Sequence, residues 1–438
     1  MPAAPLDQLR SLVGTSHVLT GVELSPYVVD GRTPEAAVFP GTLDEVRAVV
    51  EIAAGAGLPI IPWGGGTAAS VGHPPAAAAL VLGLRRLDRV LEHEPGDLTA
   101  TAQAGMTMAS LQAALGRGGQ WLSLEAPQPE RATLGGVIAT NASGPRRHLY
   151  GTARDLVIGM TVVTGEGAVV RGGGKVVKNV AGYDLPKLFV GSYGTLGVIV
   201  EITVKLRPRP EDERFVAVRF ERLADVGIAV RAVMASDLIP TSIDVLDGDA
   251  ARVRALRTAA PTLVVGFDGL AEQVQWQCVE LERMTAALGG RDAVPLAHDA
   301  WLAMTAAGRD AFGTPAAVMR LVMLPAHVTD AMAAGAEAAK ARGLACAWTA
   351  HAGVGVATAA LFSPRQTDVE PIAATLEAWR ASAHASGGHA TLEWAPLAVK
   401  ARVPVWDDPG AAGRVMRRIK EQLDPKNVLN PGRFLAGI

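Results

Sequence analysis

In LDEVRAVVEIAAGAG, Leu43, Val46, Val49 and Val50 recur at intervals of three and four, which places them on one helical face; Gly55 and Gly57 stop the helix. The apolar run LPIIP that follows predicts a brief buried strand. DLTATAQAG alternates as a half-buried strand, and TMASLQAALGRGG reads as a helix ended by glycines. DLVIGMTVVTGEG and GVIVEITVKLRPRP supply longer β segments, and RPRPEDE closes this part near residue 208. Beyond it the pattern changes: RFVAVRF precedes a helix beginning near Arg222, PTLVVGF precedes AEQVQWQCVELERMTAALGG, and AAVMRLVML precedes VTDAMAAGAEAAKARG. Strand and amphipathic helix in alternation predict one sheet with helices on a face. AAGRVMRRIKEQLDPKNVLNPGRF ends the chain as a helix and an Asn- and Pro-rich turn. The fold class expected is α+β, with boundaries at 1–208, 209–400 and 401–438.

Length and composition narrow the chemistry. The 438 residues, 49% of them hydrophobic, suffice for sizeable cores in two domains or one large composite. The 41 basic and 43 acidic residues nearly cancel, so no global field points to nucleic acid or an anionic membrane; a small, specific ligand is the better expectation. Cys278 and Cys346 are too few for an iron–sulfur or zinc site built by this chain alone, and read as buried thiols in a reducing cytoplasm. The N-terminus lacks a basic start followed by an apolar core, and no apolar run reaches the roughly 20 residues that span a bilayer. The expectation is a cytoplasmic chain, peripheral to a membrane at most through a partner.

PIIPWGGGTAASVG sets three glycines and Thr67 directly after a strand. Without Cβ atoms, such backbone can take positive φ and bring its N–H groups close to a bulky anion, with Thr67 and Ser70 as hydroxyl donors. A plain turn is the competing reading. A P-loop needs a lysine before the Ser or Thr, absent here, and a Rossmann turn needs to open a helix, whereas this loop runs into His73, Pro74 and Pro75. Two further Gly-rich segments, TLGGVIATNASG from Thr133 and GSYGTLGVIVEITVKL from Gly191, lie about 60 to 70 residues apart. Three such segments in one domain point to a long ligand touched at several places.

These segments, with GGGKVVKNVAGYDLPKLFV and the terminal LDPKNVLNPGRF, resemble FAD-binding oxidoreductases of the vanillyl-alcohol oxidase and p-cresol methylhydroxylase (PCMH) type over essentially the whole chain. Within them the chain is most similar to the E-type subunits of bacterial glycolate oxidases. The resemblance implies a PCMH-type FAD-binding domain of two α+β subdomains, an α/β, ferredoxin-like cap domain, and a C-terminal segment that returns to the FAD site. It implies Gly64, Gly65, Gly66 and Thr67, with Ser70, around the pyrophosphate. Thr133, Gly135, Gly136, Asn141, Ser143 and Gly144 would line the flavin and its ribityl chain. Gly194, Thr195, Gly197, Val198 and Ile199 would lie near the adenosine half, and Asn430 near the ring. No histidine sits in WGGGTAAS, so FAD is expected to be noncovalent. The implied partners are a catalytic flavoprotein subunit and an iron–sulfur subunit of a glycolate oxidase complex, acting on a small 2-hydroxy acid.

The sequence departs from the relatives that oxidise 2-hydroxy acids. Those carry H-x-G-D-G-N-x-H and a later Glu-His pair, which bind a divalent metal; here HAGVGVAT keeps His351 but has Val354, Val356 and Thr358 at the other polar positions. SGGHATLEW keeps His389 and Glu393 without the adjacent pair. Valine cannot ligate and a lone imidazole is a poor divalent site, so no metal is expected and no catalytic residue is assigned. Tyr193 stands where many relatives have glutamate. Lys175, Lys178, Asn179, Tyr183 and Asp184 read either as neighbours of the flavin or as a solvated basic turn; Arg146, Arg147 and His148 pose the same choice, with a docking surface as a third.

Overall fold

The computed structural model describes residues 3–77, 80–175, 183–253, 259–305, 312–365 and 368–438, and Lys178 and Asn179 lie outside them. The chain divides into two compact units: residues 1–143, 152–209 and 408–438 form the first, and residues 144–151 and 210–407 the second.

The first unit contains a four-stranded sheet and a five-stranded sheet. In the smaller, Ala36–Val38, Leu80–Gly83 and Ile60–Trp63 run parallel, and Val18–Leu19 adds an antiparallel edge. The larger is antiparallel, in the order Val90–Glu94, Thr99–Gln103, Val198–Lys205, Val157–Val163, Val169–Gly173. Leu80 and Leu82 from one sheet and Val198 and Ile202 from the other share a single apolar core. The helix Leu43–Ala56 buries Val46, Val49 and Val50 against it, opens with the Thr42 hydroxyl accepting from Glu45 N–H, and closes at Gly57 with φ 65°. Gly55 is absorbed into the last turn; only Gly57 needs the left-handed conformation.

The second unit is one eight-stranded antiparallel sheet. From edge to edge it runs Arg291–Leu296, Asp212–Arg219, Thr262–Gly269, Ser242–Leu246, Ala345–His351, Val356–Phe362, Ala317–Val322, His389–Trp394. Alternate residues face the helices Leu223–Met234, Ala271–Ala287, Val328–Lys340 and Val369–Ala385, where Trp348 meets Trp379 edge-on at 4.8 Å. The other set, including Leu246, Val264, Val318 and Ala347, faces Trp301 and Phe312. The alternation expected from the sequence is present, although every strand pair is antiparallel. Arg146 is buried here. It pairs with Glu213 and lies 4.7 Å over the Trp301 ring, so it serves this core and not a docking surface.

Asp247 joins the helix Gly248–Val253 to its neighbouring strand by accepting from Ala250 N–H (2.8 Å) and Trp348 N–H (3.0 Å). Burial, outweighing these bonds, pushes its carboxyl up to about 6 from 3.8. The folded state therefore holds a proton that the unfolded chain has lost, and this group's stabilising contribution, full below about pH 4, disappears as the pH rises through 6. That difference is roughly 3 kcal/mol. In denaturant titrations, Asp247→Asn should gain on the wild type by that order between pH 4 and 7, and a pH-independent difference would refute the assignment.

Candidate functional site

Four sequence segments of the first unit meet around one cleft of about 920 Å³, its mouth included. The strand Ile60–Trp63 delivers the glycine loop. The C-terminal segment is stitched to that strand by Ile60 N–H to Val428 O (2.6 Å) and Asn430 N–H to Ile60 O (2.8 Å). Leu134–Thr140 is a helix, not the turn its glycines suggest; the Thr133 hydroxyl caps it by accepting from Gly136 N–H (3.2 Å). Gly191 and Tyr193 N–H groups donate to Ile138 and Ala139 carbonyls, docking GSYGTLG onto that helix.

The glycines are needed mainly for close approach. A Cβ on residue 64 would sit 2.1 Å from the Thr133 hydroxyl oxygen, and one on residue 65 would sit 1.7 Å from the Arg131 carbonyl oxygen. Of the three, Gly66 alone has positive φ, at 72°. Among the described residues, the main-chain N–H groups of Gly65, Gly66, Thr67 and Ala68 have no acceptor within the protein. Four consecutive donors at a cleft wall form a nest for an anion.

Eleven of the expected residues line this cleft: Gly64, Gly65, Gly66 and Thr67 from the loop, Thr133, Gly135 and Gly136 from the helix start, Gly194, Gly197 and Ile199, and Asn430. Asn430, held at φ 44°, donates from Nδ2 to Tyr193 O (2.8 Å), while its buried Oδ1 has no donor in the protein. Tyr193 itself stacks on Phe434 at 5.1 Å. The remaining expected residues fall outside the lining. Asn141 ends the helix in the left-handed conformation, Thr195 is buried with its hydroxyl donating to Ser192 O, and Val198 is in the core. Ser70 lies in the turn that follows Thr67, Ser143 is the last residue of the first unit, and Gly144 belongs to the second.

Arg433 is the residue that sequence reasoning missed. It is 6% exposed and is the only charged side chain among the lining residues described. Its Nη2 donates to the carbonyls of Ala69 (2.7 Å) and Val71 (2.8 Å), and its own carbonyl accepts from His73 N–H, so it fixes the far side of the glycine loop. Burial pulls its pKa down, partly offset by the field of Asp30, but guanidinium stays charged at any working pH. The signal available was its place three residues after Asn430, in NPGR. A cation here favours an anionic ligand. Arg433→Met should weaken binding of a diphosphate ligand about ten- to hundredfold, read as a shift in Kd by fluorescence titration, and should leave a phosphate-free analogue unaffected.

The alternative polar positions do not assemble likewise. Lys175 pairs with Glu92 at 2.5 Å, Asp184 pairs with Lys187, and Tyr183 is 93% exposed. In the second unit, His351 Nδ1 lies 2.7 Å from Asp244 Oδ1, and Glu393 Oε1 forms an ion pair with Arg320, 3.4 Å from its Nε. His389, whose pKa is lowered by burial, sits at the first position of its strand, four residues before Glu393. The donor set does not fit a divalent ion: Val354 and Val356 offer none, Glu393 is engaged by a cation, and no group of three or more His, Cys, Asp or Glu among the described residues can hold a metal.

The cleft's shape, glycine cradle and unmet donors fit a long anionic cofactor. A family model described as FAD binding domain matches residues 34–173, and one described as FAD linked oxidases, C-terminal domain, matches residues 209–434. The chain belongs to the FAD-linked oxidases, and its cofactor is FAD. Glycolate oxidase subunit GlcD of Bacillus subtilis (strain 168) is 29% identical over 422 residues, 92% of this chain and 89% of that protein. The mitochondrial D-lactate dehydrogenase (cytochrome) of Arabidopsis thaliana is also 29% identical, over 92% of this chain and 73% of its own length. Glycolate oxidase subunit GlcE of Escherichia coli (strain K12) reaches 42% identity, but over 153 residues, 35% of this chain and 43% of that protein. The full-length likeness is thus to the D-type subunit, and the E-type likeness is local. A structure of p-cresol methylhydroxylase with substrate bound shares the fold, with a TM-score of 0.78 at 20% identity, covering 99% of this chain and 96% of that one. Among the described residues no helix is long and apolar enough to cross a membrane.

Proposed function

We propose that the chain is the FAD-bearing subunit of a glycolate oxidase assembly and takes part in oxidising glycolate to glyoxylate, passing electrons to partner subunits. The four unmet N–H donors of Gly65 to Ala68 carry this reading, because they supply an anion nest where a diphosphate needs one. FAD supplies two-electron acceptance; the chain's residues bind and orient it. On this reading Gly64–Thr67 and Arg433 flank the diphosphate, with Ser70 supporting the loop. Thr133, Gly135, Gly136 and Asn430 take the flavin end; Asn141, Ser143 and Gly144 support it in sequence. Gly194, Thr195, Gly197, Val198 and Ile199 serve the adenosine half. Binding is noncovalent, since the described lining contains neither histidine nor cysteine. Relatives named as glycolate oxidase subunits support the assembly, and the two isolated, buried cysteines fit clusters carried by a partner.

A stand-alone 2-hydroxy-acid dehydrogenase is the second reading, favoured by the match along most of the chain to a D-lactate dehydrogenase. Affinity purification of the tagged chain from its own host, followed by anaerobic addition of glycolate and D-lactate, separates the two. Co-purifying subunits that are required for dye reduction by glycolate support the assembly. Full-rate reduction by the chain alone would replace it with the dehydrogenase, and the absence of flavin bands would remove both.

A further inference from the structure

We propose that a groove on the helix side of the second unit's sheet binds a small amphipathic monocarboxylate, an aliphatic tail with a carboxylate head, of the medium-chain fatty acid class. The groove is built from the second unit alone, and the inference does not rest on the glycolate reading.

The groove opens between the helices Leu223–Met234 and Val328–Lys340. They touch at Gly227, where a Cβ would sit 2.4 Å from the Thr329 hydroxyl oxygen, so only glycine permits this approach. Beside that contact the space between them is left unfilled. The groove measures about 890 Å³, its mouth included, within the range of small-molecule sites. Val230, Val328 and Ala352 form its buried floor, while Met234 and Leu324 in its wall are 46% and 61% exposed. Large apolar side chains left in water around a concave floor gain from an apolar ligand that covers them.

The wall selects the tail. Among the described lining residues there is no aromatic ring, so a flat ligand finds nothing to stack on. Hydrogen-bonding capacity is small too: Pro325 has no N–H, and the His327 and Val328 N–H groups already donate to Leu324 O and Pro325 O. Such a surface takes an aliphatic chain, to which the flexible Met234 side chain adapts.

Arg231 selects the head. It is the single charged side chain among the described lining residues, it is exposed, and its guanidinium has no hydrogen-bond or ion-pair partner among the described residues. Asp225, on the same helix, is held by Arg222 at 2.6 Å, and Asp330, on the facing helix, is not part of the wall. An unpaired fork of N–H donors at the edge of an apolar groove matches a planar carboxylate. One cation and no anion in the wall set the complementary charge of the head at minus one.

The test is calorimetric titration of the FAD-loaded full chain with octanoate and with 1-octanol, which share the tail and differ in the head. Octanoate should bind saturably at one site and more tightly than octanol. Arg231→Gln should weaken octanoate about tenfold and leave octanol unchanged, and Met234→Glu should weaken both, with flavin content unaltered in either variant. Hydrogen–deuterium exchange should place the octanoate protection in residues 228–235 and 324–330. Absence of saturable octanoate binding, wild-type octanoate affinity in Arg231→Gln, or protection confined to the first unit's cleft would each overturn the inference while leaving the assembly reading intact. So would a dimerisation, seen by sedimentation, that Met234→Glu abolishes and octanoate does not disturb, since the groove would then belong to a second copy of the chain.

Discussion

Lys420→Met should unfold the first unit roughly 10 °C below the wild type and release FAD. Lys420 is 5% exposed, and its Nζ donates to Asp424 Oδ2 (2.7 Å) and to the carbonyls of Thr195 (2.7 Å) and Leu429 (2.8 Å). Asp424, 1% exposed, in turn accepts from Val428 and Leu429 N–H groups. One ion pair thus fastens the end of the helix Ala412–Leu423, the turn leading to Asn430 and the GSYGTLG segment itself. Removing the lysine strands a buried carboxylate, at a cost of about 3–5 kcal/mol, and a unit of this size loses roughly 2–4 °C per kcal/mol. Burial pulls the Lys420 pKa down, opposed by its hydrogen bond to Asp424 and by that group's field. The double replacement Lys420→Met with Asp424→Leu removes both charges and should cost less than Lys420→Met alone. Equal losses from the single and double changes, by calorimetry, would show that the pair is not what matters.

The second large effect is expected at the loop. Gly65→Val should yield protein without flavin, because even its Cβ would lie 1.7 Å from the Arg131 carbonyl oxygen, which is backbone and cannot swing away. The loop would have to leave the segment preceding Thr133, dispersing the four N–H donors that point to a diphosphate. Gly66→Ala tests the neighbouring requirement more gently. At φ 72° alanine pays of order 1–2 kcal/mol, and its methyl would press on the Trp63 ring at 2.6 Å. Absorbance ratios of flavin to protein should fall steeply in the first variant and partially in the second. Full occupancy in folded Gly65→Val would remove the loop from the cofactor site.

The contrast between these two positions shows what could be read in the sequence. The WGGGT cluster identified a backbone that must come close to something, and its companions at Thr133, Gly191 and Asn430 identified the fold. What the glycines approach was hidden, since contact between residues 65 and 131 is a matter of tertiary packing, and only Gly66 uses the positive φ that local reasoning would assign to all three. TLGGVIAT was legible as small residues but not as a helix, because two glycines mask a turn that Thr133 caps. Lys420 and Arg433 escaped for a related reason. In MRRIKEQL and NPGRF they look like ordinary solvated cations, and only the folded chain surrounds one with carbonyls and sets the other into a cleft wall. The His351 departure was legible as the loss of metal ligands. Its partner Asp244 was not, because 107 residues separate them and only strand register brings them opposite.

Hydrogen–deuterium exchange of the flavin-free chain, with and without added FAD, tests most directly whether the cleft is the cofactor site. Protection should appear together in residues 61–72, 133–140, 193–199 and 428–434, with Arg433→Met losing it at low FAD concentration. Protection confined to other segments, with the loop at 64–68 exchanging equally in both states, would contradict the assignment.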